Sequence, residues 1–342
     1  MPTTATATAA TRAARVRPLA AADLEAVVGI DASIVGRSRR AYFERRLRAA
    51  IADPAMHVQF GVEDEGRLIG YALARRLAGE FGRTVPALRL EIIGVRPDDQ
   101  GRSVGDWLMA AFSKWGREHG VTEMRTQVDW RNSRMLRFLA HSGFRLGRNQ
   151  VIEAAVRPDD GDDAELSIAP SFEQPSAEMD YSADRANDFE VLARDRFDLR
   201  SMATDDAEAV ARIDRRIMAR ERSGYVKQLL GEALADSGVR VSLVAYVEGV
   251  LAGYVMAKTD FGDFGRTEPV AVIDTLGIDP DFAGRGIGKA LLSQLFVNLH
   301  ALGVERVETV VARENFALLG FFYRAGFGAS ERLAFVKDFA TA

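Results

Sequence analysis

The feature that most constrains this chain is an internal repeat with an offset of 183 residues. The segment GEFGRTVP at residues 79–86 recurs as GDFGRTEP at residues 262–269. Without any gap, residues 16–144 match residues 199–327 at 45 of 129 positions, whereas chance gives roughly one identity in fifteen. A match of this length predicts two copies of one domain, and the 342 residues of the chain suit two domains of ordinary size.

The segment between the two copies differs from both of them in composition. Residues 157–196 hold 12 acidic and 4 basic side chains, together with many Ala, Ser and Pro residues. Such a segment has too few periodic apolar residues to form a core. We therefore predict a first domain at 14–156, an acidic linker at 157–196 and a second domain at 197–342. The Ala/Thr-rich residues 1–13 are predicted to be a disordered arm.

Composition excludes several classes of function. The chain has no cysteine, so disulfides, thiolate nucleophiles and cysteine zinc sites are excluded, and its four histidines lie far apart. No apolar run is long enough to cross a bilayer, and the N-terminus lacks the apolar core of a signal peptide. No basic patch is interleaved with aromatic residues. We expect a cytoplasmic monomer or homodimer that binds no metal, membrane or nucleic acid.

Each copy shows the same order of predicted elements. A short strand leads into two helices, and two strands with a glycine turn follow. An apolar strand, a glycine-rich turn, a long amphipathic helix, a strand, a further helix and closing strands complete each copy. This order predicts an α/β fold of the layered α+β kind, in which a mixed central sheet is flanked by helices. The ligand site is expected at the glycine turn.

The glycine turn of the second copy lies in DTLGIDPDFAGRGIGKALL, residues 274–292. A strand, an Asp-Pro turn, three glycines and a helix follow one another in this segment. The first turn of a helix has unpaired N–H donors and a partial positive charge, and glycine lets phosphate oxygens approach closely. The pattern predicts an anion site. The Rossmann and P-loop frames do not fit these residues.

Together with a second motif, this turn resembles the GNAT superfamily of acyl-CoA-dependent N-acyltransferases. The first signature of that family is Q/R-x-x-G-x-G/A, which reads QGRSVG at residues 100–105 and AGRGIG at residues 283–288. Each copy departs from it once, at Ser103 and at Ala283. The second signature is an Asn followed eleven residues later by Gly-Phe, and it begins at Asn132 in the first copy and at Asn315 in the second.

The resemblance implies a binding mode for acetyl-CoA as co-substrate between two central strands. Its pantetheine arm would pair along the strand before the glycine turn, and backbone amides of the turn would hold its pyrophosphate. In the second copy the implied residues are Leu276, Gly277 and Ile278, then Gly284, Arg285, Gly286, Ile287, Gly288 and Lys289, with Asn315. In the first copy they are residues 93–95, then Gly101, Arg102, Ser103, Val104, Gly105 and Asp106, with Asn132.

The catalytic acid of many family members is missing from both copies. That tyrosine stands seven residues after the motif Asn, where this chain has Leu139 and Phe322. The next residue, Tyr323, is a candidate acid, and the alternative is a packing tyrosine. Glu91 and Asp274 are matched by the repeat and embedded in apolar strands, so each is a candidate base for the attacking amine. The alternative is a structural acid bound by backbone or arginine.

The resemblance implies transfer of an acetyl group from acetyl-CoA to an amine of a small molecule or peptide. The amine would attack the thioester directly, with the carbonyl polarised by a strand N–H. Two alternatives stay open: a non-catalytic acyl-CoA-binding or regulatory protein, and a small-molecule acetyltransferase resembling mycothiol synthase. Because Gly286 leaves room that Ser103 fills, the second copy is interpreted as the catalytic one and the first as degenerate.

Overall fold

The computed structural model describes residues 14–77, 86–156, 197–235, 241–260 and 262–339. The predicted arm (1–13) and the predicted acidic linker (157–196) lie outside the described residues. The described residues form two seven-stranded sheets with helices packed against them. Both sheets contain parallel and antiparallel pairs. This confirms the predicted α/β fold with two similar mixed sheets.

The elements follow one order in both copies. The first copy contains β1 (Arg15–Pro18), α1 (Leu24–Val35), α2 (Arg40–Ala52), β2 (His57–Asp64), β3 (Arg67–Leu77), β4 (Ala87–Val95), α3 (Val104–Glu118), β5 (Glu123–Asp129), α4 (Ser133–His141), β6 (Arg145–Leu146) and β7 (Asn149–Ala155). The second contains β8 (Asp198–Ser201), α5 (Ala207–Met218), α6 (Ser223–Ala235), β9 (Leu243–Val247), β10 (Val250–Asp260), β11 (Val270–Ile278), α7 (Ile287–Ala301), β12 (Arg306–Ala312), α8 (Phe316–Arg324), β13 (Gly328–Ala329) and β14 (Arg332–Asp338).

The last strand of each copy completes the sheet of the other copy. One sheet has the order β1-β2-β3-β4-β5-β14-β6, and the other has the order β13-β7-β12-β11-β10-β9-β8. Strands β7 and β14 occupy equivalent positions of the repeat. Strand β14 pairs antiparallel with β5 along its whole length, from Arg332↔Asp129 to Asp338↔Glu123.

The compact units of the structure are therefore assembled from separate pieces of sequence. Of the described residues, unit one comprises 14–77, 86–150, 262–268 and 331–339, and unit two comprises 151–156, 197–235, 241–260 and 269–330. These units differ from the contiguous segments 14–156 and 197–342 that the repeat predicts. One physical reason is that the final strand of each copy pairs with strands in the sheet of the other copy.

In unit one the central sheet is covered on both faces. Strand β3 is almost continuously buried, as expected for a strand with helices on both sides. Its residues Ala72 and Ala74 belong to a core with α3 and α4, whereas Tyr71 and Leu73 belong to a core with α1 and α2. In unit two, Tyr254 of β10 likewise packs in a core with α5 and α6.

A buried ion pair joins the first two helices in each copy. Arg39 donates to Asp31 from Nε (2.8 Å) and Nη2 (2.5 Å), and the Tyr71 hydroxyl donates to Asp31 at 3.0 Å. Arg222 and Asp214 repeat the arrangement in the second copy, at 3.0 and 2.5 Å. Burial, with the nearby Asp31 carboxylate, raises the pKa of Tyr71 well above its ordinary value. The tyrosine therefore stays protonated and acts as a donor.

In the part of the chain that the structure describes, no helix combines the length and the apolar character that crossing a membrane requires. The cytoplasmic location stays a prediction.

We predict that Arg39→Met destabilises the protein by roughly 3–5 kcal/mol, because it leaves the buried Asp31 carboxylate without its cation. The neighbouring substitution Arg40→Met is the control, since Arg40 pairs with Glu25 and Glu44 at the exposed surface. The melting temperature of Arg40→Met should stay near that of the parent. Thermal and urea unfolding of both variants measure the effect, and equal losses in the two variants would contradict the structural role of the pair.

Candidate functional site

Strands β11 and β12 begin side by side and then separate. Their parallel pairing is limited to Ala271↔Val307 and Val272↔Glu308, whereas β11 stays paired with β10 as far as Ile278. Beyond Val272, the edge of β11 that faces β12 is therefore open. Strands β4 and β5 separate in the same way, after three paired positions that begin at residue 87. Each opening exposes strand edge to which an extended ligand can hydrogen-bond.

A β-bulge marks the start of each separation. The ladder between β10 and β11 skips Asp274, and the ladder between β3 and β4 skips Glu91. A bulge inserts one extra residue and changes the direction in which a side chain points, and such bulges are frequent beside active sites. The two carboxylates that the sequence analysis selected therefore occupy the same position in their respective sheets.

A buried threonine in each copy bonds to the strand just before its bulge. The Thr309 hydroxyl donates to the carbonyl oxygen of Ile273 at 2.9 Å, and the Thr126 hydroxyl donates to the carbonyl oxygen of Leu90 at 2.9 Å. Thr309 lies on β12 and Thr126 lies on β5, the strands from which β11 and β4 separate. They hold the two strands together at the last point before the opening.

The glycine turn of the second copy leaves open space beside two left-handed glycines. Gly284 and Gly286 have φ values of +76° and +87°, in the left-handed region that favours glycine. A Cβ atom at either position would meet nothing within 4 Å, so the space beside both residues is open. Gly286 is the N-cap of α7. The first amides of α7 have no acceptor within the helix and can donate to a ligand.

The turn of the first copy has the same conformation but a different surface. Gly101 and Ser103 have φ values of +80° and +59°. A non-glycine residue in this region is strained by about 1–2 kcal/mol. The Cβ and hydroxyl of Ser103 occupy the place that Gly286 leaves open in the second copy.

A glycine at the start of each long helix permits close helix packing. A Cβ at Gly105 would lie 2.6 Å from the Phe138 ring of α4. The equivalent atom at Gly288 would lie 3.1 Å from the Phe321 ring of α8. These two signature glycines therefore have a packing role, apart from any contact with a ligand.

The charge around the two turns differs in sign. In the first copy, Arg102 donates to Asp99 at 2.5 Å and to Asp64 at 2.9 Å, and Asp106 lies in the first turn of α3. The residue equivalent to Asp106 in the second copy is Lys289. The family signature does not reveal this exchange because it ends at the preceding glycine.

The acidic residues near the second turn are bound by an arginine. Arg216 donates to Asp279 at 2.5 Å and to Asp281 at 2.9 Å. Arg285 lies over the Phe282 ring at 5.1 Å from its centroid. With Lys289 at the start of α7, basic side chains outnumber acidic ones here, whereas acidic ones outnumber basic ones at the first turn. An anionic ligand is therefore favoured in the second copy.

The two bulge carboxylates have different surroundings. The Glu91 side chain is 1% exposed and accepts hydrogen bonds from Arg46 and, at 2.7 Å, from Arg89. The Asp274 side chain is 11% exposed, and its Oδ2 lies 3.9 Å from Nζ of Lys258. Residues 229 and 272, equivalent to Arg46 and Arg89, are Leu and Val. The arginine pair that binds Glu91 therefore has no equivalent pair in the second copy.

A loop from the second copy packs beside Glu91 in unit one. Asp263 accepts from the Tyr42 hydroxyl at 2.7 Å and lies 3.4 Å from the same Arg89 that binds Glu91. Arg39 donates to the carbonyl oxygens of Gly262 (2.6 Å) and Arg266 (3.0 Å). In the sequence, this segment stands out only by its similarity to residues 79–86 of the first copy. Its contacts with residues more than 200 positions away carry no sequence signal.

Comparison with known proteins identifies the family. The family model for the acetyltransferase (GNAT) family matches residues 26–144 and 207–327. The chain belongs to this family. The two matches fall on the two copies, which establishes a tandem arrangement of family domains and confirms the resemblance stated from the signatures.

The individual relatives match this chain either over a short segment or at low sequence identity. A mycothiol acetyltransferase from Propionibacterium freudenreichii subsp. shermanii is 38% identical over 79 residues, which is 23% of this chain and 24% of the relative. A tandem GNAT protein from the clavulanic acid biosynthesis pathway has a TM-score of 0.61 at 18% identity, over 96% of this chain and 99% of that one. A GCN5-related N-acetyltransferase from Sphaerobacter thermophilus has a TM-score of 0.55 at 19% identity, over 95% and 96%. The structural likeness shows a shared fold.

The position of the family tyrosine is buried in both copies. Leu139 and Phe322 are fully buried, and the Phe322 ring packs 4.8 Å from the Phe327 ring. Tyr323 is 44% exposed on α8. Its role as an acid stays a prediction.

The asparagine of the second signature caps a helix in each copy. The Asn132 side chain accepts from the amide of Met135 at 3.0 Å, and the Asn315 side chain accepts from the amide of Leu318 at 3.1 Å. These caps satisfy amides at the starts of α4 and α8. A contact of either asparagine with the pantetheine arm stays a prediction.

Among the residues that the structure describes, no three His, Asp or Glu side chains are grouped so that they could hold a metal ion.

Three observed features of the second copy suit acetyl-CoA. These features are the open edge of β11, the space beside Gly284 and Gly286, and the basic side chains at the start of α7.

Proposed function

We propose that this protein transfers an acetyl group from acetyl-CoA to an amine, and that the second copy carries out the reaction. The observation that carries the proposal is the meeting of three features on one strand and the turn that follows it. Strand β11 has a carboxylate at its bulge and an open edge beyond it, and an open basic turn comes next. The first copy has the same bulge and the same turn conformation. Its carboxylate is bound by two arginines, however, and its turn has a serine and an aspartate in place of a glycine and a lysine.

The open edge and the turn supply the binding site in this proposal. The pantetheine arm lies along residues 276–278, where backbone groups of β11 are not used by β12. The pyrophosphate lies at residues 284–289, against the first amides of α7. Arg285 and Lys289 add positive charge there, which favours a ligand with several negative charges.

The reaction proceeds by direct attack. Asp274 accepts a proton from the ammonium group of the acceptor, and the free amine attacks the thioester carbonyl carbon. A C–N bond forms, the C–S bond breaks, and the sulfur leaves with the bonding electron pair. The nitrogen bears a positive charge and one surplus proton after the attack, and it releases that proton to solvent. The amide of Leu276 or Gly277 donates to the carbonyl oxygen as negative charge develops on it. Tyr323 is the candidate donor of a proton to the thiolate. Solvent is the alternative proton donor. A thiolate whose conjugate thiol has a pKa of about 8.5 is a good leaving group and does not need to be protonated as it departs.

The first copy has a bracing role in this proposal. Glu91 is neutralised by two arginines, and a base that must accept a proton works poorly beside two cations. The loop around Asp263 packs against the same arginine. Ser103 and Asp106 disfavour an anion at the glycine turn by bulk and by charge.

The acceptor is proposed to be an amine of a small molecule or peptide. The similarity to a mycothiol acetyltransferase favours a small molecule, although it spans only about a quarter of either chain. A rival function is acyl-CoA binding without transfer, which the buried Phe322 at the tyrosine position favours. Release of free thiol from acetyl-CoA in the presence of an amine panel separates the two. Tight binding without amine-dependent release would favour the rival.

We predict that Asp274→Asn lowers kcat/KM by roughly two to four orders of magnitude, because the amide cannot accept the proton. Acetyl-CoA affinity should hardly change. The loss should shrink at high pH, where more of the acceptor amine is already unprotonated. Glu91→Gln is the matched control from the first copy and should retain turnover. Unchanged turnover in Asp274→Asn, or loss of acetyl-CoA binding, would remove Asp274 from the mechanism.

We also predict one tight acetyl-CoA site per chain. Gly286→Ser should abolish most of the binding heat in a calorimetric titration, because its side chain fills the space that the pyrophosphate needs. The first copy shows that serine is compatible with this turn conformation, so the variant should fold. Ser103→Ala is the control and should leave a stoichiometry near one. Two equivalent sites, or binding that survives Gly286→Ser, would contradict the assignment.

A further inference from the structure

A lysine lies beside the bulge carboxylate of the second copy. Nζ of Lys258, on β10, is 3.9 Å from Oδ2 of Asp274, and the two side chains are 23% and 11% exposed. Strand β11 is buried from Val270 to Ile273 and becomes partly exposed at Asp274. Solvent therefore reaches both charges at the point where β11 and β12 have separated.

Lys258 lies on the face of the sheet that α5 and α6 cover. Side chains alternate between the two faces of a strand, so Lys258 shares its face with Tyr254 and Met256. Both of these residues pack in the core with α5 and α6. The neighbour of Lys258 on β11 is Val272, which carries no charge. The lysine and the bulge carboxylate therefore lie next to an apolar strand position.

The first copy has a different set of charges at the same place in its sheet. Arg75 is the equivalent of Lys258, and its neighbour on β4 is Arg89. Arg89 and Arg46 both bind Glu91 there, whereas the residues at their positions in the second copy are apolar. The second copy thus keeps a cation at the position of Arg75 but not at the positions of Arg46 and Arg89.

We infer that the acceptor carries a carboxylate on the carbon that bears its amine, as an α-amino acid does, and that Lys258 binds this carboxylate. The inference rests on the proposed function, in which Asp274 accepts a proton from the acceptor ammonium. An amine without a carboxylate would bring a second cation beside Lys258, and juxtaposed like charges oppose binding. The carboxylate of an α-amino acid offsets that repulsion and gives the lysine an anion to bind.

The spacing of the two protein charges suits such an acceptor. Standard bond lengths place the nitrogen and a carboxylate oxygen of an α-amino acid about 3 Å apart. This separation is close to the 3.9 Å between Nζ of Lys258 and Oδ2 of Asp274. Each ammonium group can therefore lie next to the carboxylate of the other pair. The lysine ammonium has three donors, so it can bind the acceptor and keep its other contacts.

The test compares amino acids with their carboxamides as acceptors for the full-length protein. Glycine, alanine, leucine and phenylalanine are each paired with the corresponding amide, and thiol release from acetyl-CoA is measured. In Lys258→Met, the ratio of kcat/KM for the acid to kcat/KM for the amide should fall about 10–100-fold, as expected for one hydrogen bond to a charged group. Most of the loss should appear in the KM of the acid.

The change of this ratio between variant and parent is the readout. The amine pKa differs between an acid and its amide, but it is the same for every protein variant. Lys258→Gln should give the same fall as Lys258→Met, and turnover of the amide shows that each variant is folded and active. Lys258→Arg keeps the positive charge and should retain most of the parent ratio.

A surface lysine of the same unit offers a matched control. Lys227 lies on α6, is 53% exposed and is 3.8 Å from Glu208. Lys227→Met removes the same charge from the chain as Lys258→Met does, but not beside Asp274. It should leave the ratio of acid to amide unchanged.

An equal loss for acids and amides in Lys258→Met would overturn the inference, because Lys258 would then only hold Asp274 in place. A parent that turns over the amides and none of the acids would also overturn it. Both results leave the proposed function standing.

Failure of the proposed function appears differently, as the absence of amine-dependent thiol release with every acceptor. Calorimetric titration of the acids and amides in the presence of CoA then tests Lys258 without turnover. Tighter binding of the acids, lost in Lys258→Met, would support the inference. Equal dissociation constants for acid and amide, or no binding of either, would overturn it.

Discussion

The separation of β11 from β12 after Val272 is the constraint on which the rest of the account depends. Continuous pairing would use every backbone group of β11, and an extended ligand would find no edge to bind. The bulge at Asp274 and the Thr309 hydroxyl define where pairing stops. They therefore also define where a carboxylate, an open strand edge and the glycine turn follow one another. Gly277 then lets Tyr254 pack tightly beneath the open strand.

The two copies show how one backbone supports two roles. Both separate at the same bulge, and both have a left-handed residue before the long helix. The first copy surrounds its carboxylate with guanidinium groups, and the loop at residues 262–266 packs against one of them. Loss of a guanidinium group here would leave a buried charge uncompensated, and cations beside a carboxylate oppose its uptake of a proton. The second copy lacks those two arginines and has a lysine at the start of α7, so the same scaffold is suited to an anionic ligand.

Sequence periodicity and the repeat predicted the element order, both sheets and the glycine turns, because these depend on local patterns. The pattern of glycines at 284 and 286 predicted an open turn, and both are left-handed. The placement of β7 and β14 in each other's sheets was not predictable. The two strands are equivalent in the repeat, and local pattern does not tell which sheet receives which. The contacts of Glu91 with Arg46, and of Tyr42 with Asp263, join residues 45 and 221 positions apart. No helical or strand period relates such pairs.

The most direct test of the central claim is hydrogen–deuterium exchange of the full-length chain with and without acetyl-CoA. The account predicts slower exchange on binding at the amides of residues 276–289, where the open edge of β11 and the start of α7 receive the ligand. The equivalent amides at residues 93–106 should exchange at the same rate in both samples. Equal protection of both segments, or protection confined to residues 93–106, would contradict the assignment of a single active cleft to the second copy.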